Sequence, residues 1–575
     1  MCACTSVPGS HTNKKGGNLM ILASPESIKH WTETGAWGTK TMVDYFKEHV
    51  KNQPDMVCLV DPLNKPALLG LEPERLTYSE LDRRIDATAE ALVARGICKD
   101  DIIMVQLPNC WELAMLYLAI TRAGALISPM PVQWRSSELG HILEKTQAKA
   151  FITVEEFGGF QHRKMGEDLQ AKFSSLKQII TLGEIREMSQ GPVTGNLDDI
   201  PLDANDILTL CWSSGTEAVP KGCPLSHNNW IFQSTLCFAC APVNPGDNLI
   251  TAGPLVNMAS LGTVFMPWLF GGGKFVLNHP FDGPTFILQL IIEEIHYTLL
   301  VPAVVNALLK HPKVDEFDLS KMNAITIGAA PPSLWSVKEL KRRWGIEFGN
   351  IWGMNEGPAN ISGPSNIPDM EKRIDHFPQY GKPGSNWVEI SEIMKYVDMK
   401  VVDPVSGKAL LEEGQIGELH YRGPNVIAGY FRSPENTAKA FDADGFFNTG
   451  DLFQVKDNDC IGFFDRSKDI IIRGGFNISA QEVENLLLGH PVVLDAAAVA
   501  MPDETLGERL CVYVVPKPGE TVTLESIKSF MTEKGIAVYK LPERLEIIDA
   551  IPRNPVGKIR KNILRDEIKA KLSNG

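Results

Sequence analysis

A loop that is rich in small hydroxyl residues and ends near a lysine follows an apolar segment in the first half of the chain. The apolar segment DILTLCW ends at Trp212, and the loop SSGTEAVPKG spans residues 213–222. Backbone amides and hydroxyl groups in such a loop can surround an oxyanion, and the ammonium group of Lys221 adds a positive charge. The loop lacks the GxxxxGK[ST] pattern of the Walker type. The residues therefore predict a phosphate loop of another kind, with a polar surface turn as the alternative.

Four later segments combine glycine with charged or aromatic side chains. They are IWGMNEG (351–357), DGFFNTGDL (444–452), FFDRSKDIIIRGGFNISAQEVE (463–484) and NPVGKIRK (554–561). Each has an ordinary interpretation when it is taken alone. A carboxylate such as Asp451 often stabilises a turn, and a lysine such as Lys558 is usually a solvated charge. The order of the segments is more informative than any one of them.

With the phosphate loop, and in this order, these segments resemble the adenylate-forming superfamily of acyl-CoA synthetases, adenylation domains and luciferases. The resemblance extends from about Trp31 to Leu572. The SGTE form of the loop, the segment 105–119 and the ending 535–559 are most similar to short- and medium-chain, cyclic or aryl acyl-CoA ligases. The resemblance implies that a carboxylate and MgATP give acyl-AMP and pyrophosphate, and that coenzyme A then gives acyl-CoA and AMP.

The resemblance also implies which residues bind the nucleotide. Trp352 falls where a tyrosine usually stacks on adenine, and Asp451 and Arg466 match residues that bind the ribose hydroxyls. Lys558 matches the lysine that offsets negative charge when the carboxylate attacks the α-phosphorus of ATP. The complete ATP and AMP set comprises Ser213, Ser214, Gly215, Thr216, Lys221, Gly328, Ala329, Ala330, Trp352, Gly353, Asn355, Asp451, Arg466 and Lys558.

A magnesium site is implied by two matches. Glu356 and Thr216 correspond to the residues that hold Mg²⁺ in the superfamily, and hard oxygen ligands suit this ion. Glu356, Lys221 and Lys558 are expected to be the catalytic residues. Mg²⁺ is thus the expected cofactor, with ATP and coenzyme A as co-substrates.

The acid pocket is expected around the segment PLVNMAS (254–260). Asn257 stands where aryl-acid ligases carry an asparagine, whose amide can bond a ring hydroxyl or a carboxylate; a buried asparagine bonded to backbone is the alternative. The apolar surroundings favour a cyclic, aromatic or short- to medium-chain acid over a dicarboxylate or an amino acid. The expected lining residues are Trp230, Asn257, Met258, Leu261, Gly328 and Gly353.

The second half-reaction is assigned to the glycine loop near residue 475. The resemblance implies that Arg473, Gly474, Gly475, Phe476 and Asn477 line the coenzyme A path, and that the small domain rotates about Lys468. A plain turn at the end of a strand is the alternative for the two glycines. A free carrier protein as the thiol acceptor and a non-catalytic nucleotide-binding protein are the rival functions.

Bulk properties restrict the partners and the location. The chain has 575 residues, a formal charge of −14 and 11 cysteines. The acidic charge argues against nucleic-acid binding, and scattered, odd-numbered cysteines fit a reducing cytoplasm better than a secreted disulfide framework.

The uncharged run from Asn248 to Gly273 is interrupted by prolines and glycines, so we expect a buried strand, turn and short helix there and no membrane span. A homodimer is left open.

The elements that must position these residues alternate between strands and helices. Apolar runs at 102–107, 150–154 and 298–302 alternate with helical patterns such as 78–96, which predicts layered α/β subdomains with largely parallel sheets. A β-rich subdomain follows after about residue 385. We expect a disordered tail over 1–25, a large domain over 26–467 that binds ATP and the acid, and a small mobile α+β domain over 468–575.

Overall fold

The computed structural model describes most of the chain. The described residues are 20–195, 197–213, 220–329, 332–382, 384–385, 387–473, 476–503, 505–554 and 557–573, with the backbone alone at 476, 477 and 573. Six predicted site residues therefore lie outside them: Ser214, Gly215, Thr216, Ala330, Gly474 and Gly475. The side chains of Phe476 and Asn477 lie outside them as well.

Two mainly parallel sheets form the larger part of the described fold. The strands of the first sheet follow the order Ala359–Ser362, Glu347–Gly353, Ala324–Gly328, Tyr297–Leu300, Asn248–Thr251, Lys274–Leu277, Val57–Val60 and Arg75–Thr77, with an antiparallel strand at each edge. The second sheet has the order Lys221–Ser226, Ile207–Ser213, Leu126–Pro129, Ile102–Gln106, Ala150–Thr153 and Gln178–Thr181, with an antiparallel first pair. Parallel pairing predicted from the alternation of strands and helices is thus confirmed.

Helices cover the faces of these sheets. The helix predicted over 78–96 spans Tyr78–Ala94 and begins in a capping box between Thr77 and Glu80, which satisfies free N–H groups at the helix start. The other helices of this region are Pro25–Thr34, Met42–Asn52, Lys65–Leu69, Trp111–Arg122, Ser136–Thr146, His162–Lys172, Leu182–Ser189, His227–Cys240, Met258–Ser260, Met266–Gly271, Gly283–Ile292, Pro302–Leu309 and Leu334–Trp344.

An antiparallel sheet follows in the chain, as the texture after residue 385 predicts. Its strands lie in the order Phe377–Pro378, Cys460–Arg466, Phe447–Val455, Ile416–Arg422 and Asp398–Val402. Along Ile416–Arg422, burial alternates with every residue, as expected for a sheet with one face on a core. Short helices Trp387–Ile390 and Pro434–Ala440 flank this sheet.

The last part of the chain forms a small α+β unit with its own core. Strands Phe476–Ile478, Ile471–Arg473, Gly507–Pro516 and Val493–Asp503 pair in that order, and Arg544–Ile547 runs parallel to Gly507–Pro516. Its helices are Ala480–Leu487, Leu524–Glu533 and Lys561–Ser573. The predicted fold class, layered α/β subdomains with a β-rich subdomain and a small α+β domain, is confirmed. The boundary at 467/468 stays a prediction.

The uncharged run from Asn248 to Gly273 folds as a strand, a turn and helical segments. The strand Asn248–Thr251 is followed by Met258–Ser260, a π-helical segment Leu261–Phe265 and Met266–Gly271. In the described chain, no helix combines the length and the apolar character that a membrane crossing needs.

The beginning of the described chain is packed against the second sheet. Met20 is buried, and its carbonyl accepts from the N–H of Ile207 at 2.8 Å. The helix Pro25–Thr34 then begins at the N-cap Ser24. Residues 20–25 of the predicted tail therefore belong to the fold, and residues 1–19 lie outside the described part.

Candidate active site

A buried carboxylate lies between an aromatic hydroxyl and lysines. Glu356 is 6% exposed, and its Oε1 accepts a hydrogen bond from the hydroxyl of Tyr430 at 2.9 Å. The Nζ of Lys221 lies 5.0 Å from the centroid of the Tyr430 ring. Burial raises the pKa of Glu356, while the Tyr430 hydrogen bond and the charges of Lys221 and Lys558 oppose that rise. The site thus holds a carboxylate whose charge depends on nearby donors and cations.

The turn after Glu356 is fixed by a close backbone approach. Gly357 has φ +108°, and a Cβ atom there would lie 1.9 Å from the carbonyl oxygen of Asn425. A side chain cannot be accommodated at such a distance. The carbonyl of Glu356 accepts from the N–H of Ile427 at 2.9 Å. The segment that carries Tyr430 is therefore held against the segment that carries Glu356.

A second buried carboxylate lies beside Trp352. The indole N–H of Trp352 donates to Oδ2 of Asp451 at 2.7 Å, and Arg466 Nε lies 3.9 Å from Oδ1. Asp451 and Arg466 are direct partners in the pairing of Phe447–Val455 with Cys460–Arg466. Burial raises the pKa of Asp451, and Arg466 is the largest opposing charge. The predicted acceptor and donor for the two ribose hydroxyls are thus adjacent.

Lys558 comes to these carboxylates from the small C-terminal unit. Burial and the charge of Arg466 lower the pKa of Lys558 to about 8, and Asp451 and Glu356 oppose this decrease. Its loop is closed by backbone and side-chain bonds to Asn554, with Lys558 N donating to Asn554 Oδ1 at 2.9 Å. The structure therefore brings together three charged residues that lie between 95 and 202 positions apart in the sequence.

Asn355 connects two loops of the site. Its Nδ2 donates to the carbonyl of Trp212 at 3.0 Å, and its Oδ1 accepts from the N–H of Met258 at 2.9 Å. Trp212 immediately precedes the phosphate loop, and Met258 belongs to the predicted acid pocket. The sequence predicts that Asn355 binds the nucleotide, which stays a prediction; in this structure its amide bonds to protein backbone on both sides.

The predicted acid-pocket residues do not all face an open space. Asn257 caps the helix Met258–Ser260 through its Oδ1, 3.4 Å from Ser260 N, and its Nδ2 has no partner among the described residues. Trp230 has no exposed surface, and its indole N–H donates to Thr209 at 3.0 Å. Leu261 is also fully buried. Trp230 and Leu261 thus belong to the core beneath the loop that carries Asn257.

Two glycines in the predicted set lie where strands end. Gly328 closes the strand Ala324–Gly328, and a Cβ atom there would lie 2.8 Å from Ile351. Ala329 follows with φ +68°, a conformation that alanine rarely adopts. Such strain is often found at functional sites. Gly353 ends the neighbouring strand and is exposed, so a ligand can approach the backbone at this edge of the sheet.

The first residue of the phosphate loop, Ser213, faces Lys221 near the end of the loop. Ser213 and Lys221 are paired across antiparallel strands, and Lys221 N lies 3.3 Å from Ser213 Oγ. The loop between them therefore begins and ends at one place. Lys221 is half-buried and points its ammonium group toward Tyr430.

Lys468 and Arg473, predicted for the hinge and for coenzyme A, both make contacts with residues of the small unit. Lys468 is exposed, and its carbonyl accepts from Arg565 at 3.0 Å. The guanidinium of Arg473 forms an ion pair with Glu543 inside the small unit. Arg473 thus lies in the small unit, at the end of the short strand Ile471–Arg473.

Two residues of the site were missed by the sequence analysis. Tyr430 contacts both Glu356 and Lys221. Asn109 holds residues 253–260, called the acid loop here because the sequence predicts the acid pocket there, by donating to Gly253 O at 2.9 Å and accepting from Leu255 N at 3.1 Å. Neither has a distinctive local pattern, because a Gly-Tyr pair and a Pro-Asn pair are ordinary turn sequences.

Comparison with known proteins identifies the family. The model of the family described as AMP-binding enzyme matches residues 46–431, and that of the AMP-binding enzyme C-terminal domain matches residues 482–558. The chain belongs to the AMP-binding enzymes. It is therefore an adenylate-forming ligase, and its ATP dependence is a property of the family.

Relatives of this AMP-binding enzyme extend over nearly the full chain. The medium-chain fatty-acid–CoA ligase of Escherichia coli (strain K12) is 32% identical and aligns with 94% of this chain and 93% of its own length. The 2,3-dihydroxybenzoate-AMP ligase of Bacillus subtilis (strain 168) is 31% identical, with 96% and 98% covered. The crystal structure of ATP-bound MatB from Rhodopseudomonas palustris has the same fold, with a TM-score of 0.77, 24% identity, and 92% and 99% covered.

Proposed function

We propose that this AMP-binding enzyme is an ATP-dependent acid:CoA ligase that acts in the cytoplasm. Lys558 supports this proposal most strongly, because the small unit carries its ammonium group to the carboxylates Glu356 and Asp451. Burial of an ammonium group is unfavourable and lowers the stability of the fold. The position of Lys558 is therefore better explained by catalysis than by stability. Its location suits a step in which negative charge develops.

In the first step, a carboxylate oxygen of the acid attacks the α-phosphorus of ATP, and the bond to the β-phosphate breaks. Both reactants are anionic, so the ammonium groups of Lys558 and Lys221 reduce their repulsion. Asp451 and Arg466 orient the ribose, and Trp352 lies at the adenine. Catalysis by positioning and charge is sufficient here, because the phosphoanhydride provides the driving force.

Mg²⁺ fits this site chemically. Glu356 is a buried carboxylate with oppositely charged lysines nearby, and Mg²⁺ prefers carboxylate and phosphate oxygens. Glu356, together with Thr216 of the phosphate loop, would hold the ion, which would neutralise phosphate charge. Tyr430 fixes Oε1 of Glu356 at 2.9 Å and so orients the carboxylate.

In the second step, the thiol of coenzyme A attacks the acyl carbon, and AMP leaves. We assign the residues Arg473 to Asn477 to the coenzyme A path and Lys468 to the hinge. Lys558 and Arg473 belong to the same small unit, so a rotation that withdraws one can bring the other to the adenylate. This step rests on the resemblance to coenzyme A ligases, among them the E. coli relative at 32% identity.

We propose a cyclic, aromatic or short- to medium-chain acid as the substrate. Asn257 supports this, because its Nδ2 has no partner among the described residues and can donate to the acid. The nearby side chains Leu255, Val256 and Met258 are apolar and buried.

A related function is favoured by one specific observation. The B. subtilis relative, at 31% identity, is a 2,3-dihydroxybenzoate-AMP ligase, and an asparagine at position 257 suits a ring hydroxyl. The alternative is therefore an aryl-acid ligase that transfers its acyl group to the pantetheine arm of a free carrier protein. The first half-reaction would be identical.

The decisive experiment measures pyrophosphate release with a panel of acids. Benzoate, 2-hydroxybenzoate, 2,3-dihydroxybenzoate, cyclohexanecarboxylate, cyclohexenecarboxylate, hexanoate and octanoate would each be supplied with MgATP, with and without coenzyme A. We expect turnover with at least one acid and a thioester detected by mass spectrometry. Acyl-AMP that accumulates without any thioester would instead support the carrier-dependent alternative, and the absence of pyrophosphate with every acid would contradict the proposal.

The role of Asn257 is tested in the same assay. Asn257→Ala should lower kcat/KM by about tenfold for acids that bond its amide, because a lost hydrogen bond in a buried site costs about 1–2 kcal/mol. Asn436→Ala, on the flanking helix Pro434–Ala440, is a matched control and should leave kcat/KM unchanged.

A further inference from the structure

A fully buried asparagine lies beside the turn that follows Glu356. Asn425 has no exposed surface, and its Nδ2 donates to the carbonyl of Gly357 at 2.8 Å. The same Nδ2 donates to Oε1 of Gln233 at 3.3 Å, and Oδ1 accepts from the hydroxyl of Tyr421 at 3.2 Å. Both ends of this amide are therefore bonded to the protein.

These three bonds require an amide at position 425. One short side chain must supply both donors and an acceptor, and an amide carries two N–H groups and a carbonyl oxygen. A carboxylate would have no donor for the Gly357 carbonyl, and alanine would leave that carbonyl without this partner. A buried polar group that loses its partner is unfavourable. The amide of Asn425 thus contributes directly to the conformation of the turn at Gly357.

The segment 424–431, which contains this asparagine, is held at both of its ends. The carbonyl of Pro424 accepts from Nδ2 of Asn229 at 2.7 Å. At the other end, Phe431 N donates to the carbonyl of Gly222 at 2.9 Å. The segment is thus attached to neighbouring parts of the fold by bonds that do not involve Glu356, and it can support the turn from outside.

The segment bonds to the Glu356 turn at three points. Ile427 N donates to the carbonyl of Glu356, the Tyr430 hydroxyl donates to its carboxylate, and Asn425 donates to the carbonyl of Gly357. Two of these bonds hold the backbone, and the third holds the side chain. Hydrogen bonds that orient a ligand side chain increase its affinity for a metal ion, because less conformational freedom is lost on binding.

We propose that Asn425 is a positioning residue for Glu356. It holds the carbonyl of Gly357, fixes the turn from which the Glu356 side chain extends, and so presents that carboxylate to the Mg²⁺ ion that accompanies ATP. This inference rests on the proposed function, in which Glu356 holds Mg²⁺. Since Asn425 acts only through the turn, its removal should weaken the metal-dependent part of ATP binding and spare the rest.

The test compares ATP binding with and without the metal ion. Dissociation constants of ATP would be measured by calorimetry in Mg²⁺ and in EDTA, and that of AMP in EDTA, with purified wild-type protein, Asn425→Ala and Glu356→Gln. We expect the gain in ATP affinity from Mg²⁺ to fall about fivefold in Asn425→Ala, a typical effect of one hydrogen bond. Both constants in EDTA should stay within twofold of wild type. Glu356→Gln should lose the gain as well.

A second buried asparagine provides a matched control. Asn366 is 4% exposed, and its Nδ2 donates to the carbonyl of Ile361 at 2.8 Å and to the hydroxyl of Tyr380 at 3.2 Å. Asn366→Ala therefore removes a comparable buried amide from another turn. We expect it to lower the melting temperature, as Asn425→Ala should, and to leave the gain from Mg²⁺ unchanged.

A milder variant covers the case in which Asn425→Ala does not fold. Tyr421→Phe removes only the hydroxyl that donates to Oδ1 of Asn425 and keeps the buried ring. The amide is then held by fewer bonds, so the gain from Mg²⁺ should fall about twofold, at the low end for a lost hydrogen bond. An unchanged gain in this variant would overturn the inference where Asn425→Ala is not folded.

Two results with folded Asn425→Ala would also overturn it. One is a gain from Mg²⁺ equal to that of the wild type while Glu356→Gln loses the gain, which would leave the metal role of Glu356 intact. The other is an equal loss of ATP affinity in Mg²⁺ and in EDTA. If Glu356→Gln keeps the full gain, the metal role of Glu356 and this inference fail together. The measurement needs no acid, so a panel without pyrophosphate release would count against the proposed reaction alone.

Discussion

The indole N–H of Trp352 donates to Oδ2 of Asp451 at 2.7 Å. The resemblance predicts that an aromatic residue in this position stacks on adenine. The contact with Asp451 gives Trp352 a second role, which is to hold the carboxylate in place. The hydrogen bond holds one oxygen of a largely buried carboxylate, and the other oxygen, Oδ1, lies 3.9 Å from Nε of Arg466. A phenylalanine ring has no donor for this bond.

Trp352→Phe should weaken ATP binding with little change in kcat. The smaller phenyl ring keeps an aromatic face, but a hydrogen bond to a charged group is lost, which costs about 1.5–3 kcal/mol. The KM for ATP should therefore rise about tenfold or more. Trp335→Phe, at an exposed tryptophan, is the control. The loss should be smaller with 2′-deoxy-ATP or 3′-deoxy-ATP if it acts through the ribose, and an equal loss with all three nucleotides would contradict the role of Asp451.

Lys558→Ala should abolish the formation of acyl-AMP and spare the later step. Removal of one charge that stabilises the transition state typically costs on the order of 10²–10³ in rate. Pyrophosphate release would measure the first half-reaction, and thioester formation from synthetic acyl-AMP and coenzyme A would measure the second. Lys561→Ala, which removes a lysine paired with Glu484 at 2.9 Å, is a control in the same unit. Equal losses in both half-reactions would rule out the assigned role.

Adenylation should slow down as the pH rises through about 8. Burial and Arg466 lower the pKa of Lys558 to about 8, so the charged form that the first step requires is lost above that pH. The measurement is the pH dependence of pyrophosphate release without coenzyme A, because the thiol titrates in the same range. In Lys558→Arg the decrease should disappear up to about pH 10, since arginine stays protonated. A decrease that persists in this variant would assign it to another group.

Asn355→Ala should raise the KM of both the acid and ATP. Its amide joins Trp212 before the phosphate loop to Met258 of the acid loop, at 3.0 Å and 2.9 Å. Loss of both bonds, each worth about 1 kcal/mol, should raise each KM about fivefold. Asn436→Ala serves as the control again. An increase in only one of the two constants would show that Asn355 acts on a single loop.

The fold was predictable because its local patterns agree with its tertiary structure. The helix Tyr78–Ala94 has a capping box at its start, and its residues Leu81, Ile85 and Leu92 are buried at helical spacing. The alternation of such helices with apolar strands leads to parallel sheets. The π-helical segment Leu261–Phe265 was not predictable, because no residue pattern distinguishes it from an α-helix.

The site was predictable only where its residues form recognisable segments. Glu356, Asp451 and Lys558 lie in motifs whose order indicates the family. Asn355 and Tyr430 take their roles from contacts with distant segments, since Asn355 bonds to a residue 143 positions away and Tyr430 to one 74 positions away. Such pairs leave no trace in a single sequence. The sequence predicts that Trp230 lines the acid pocket, and the structure shows its side chain fully buried. An apolar residue pattern does not distinguish a pocket wall from the core below it.

The last helix of the chain holds the junction between the large and the small unit. Arg565, on the helix Lys561–Ser573, donates to the carbonyl of Lys468 and forms an ion pair with Asp469. Anything fused to the C-terminus, or an immobilisation matrix coupled there, would therefore pull on the segment 468–469, where we propose the hinge, as well as on the small unit.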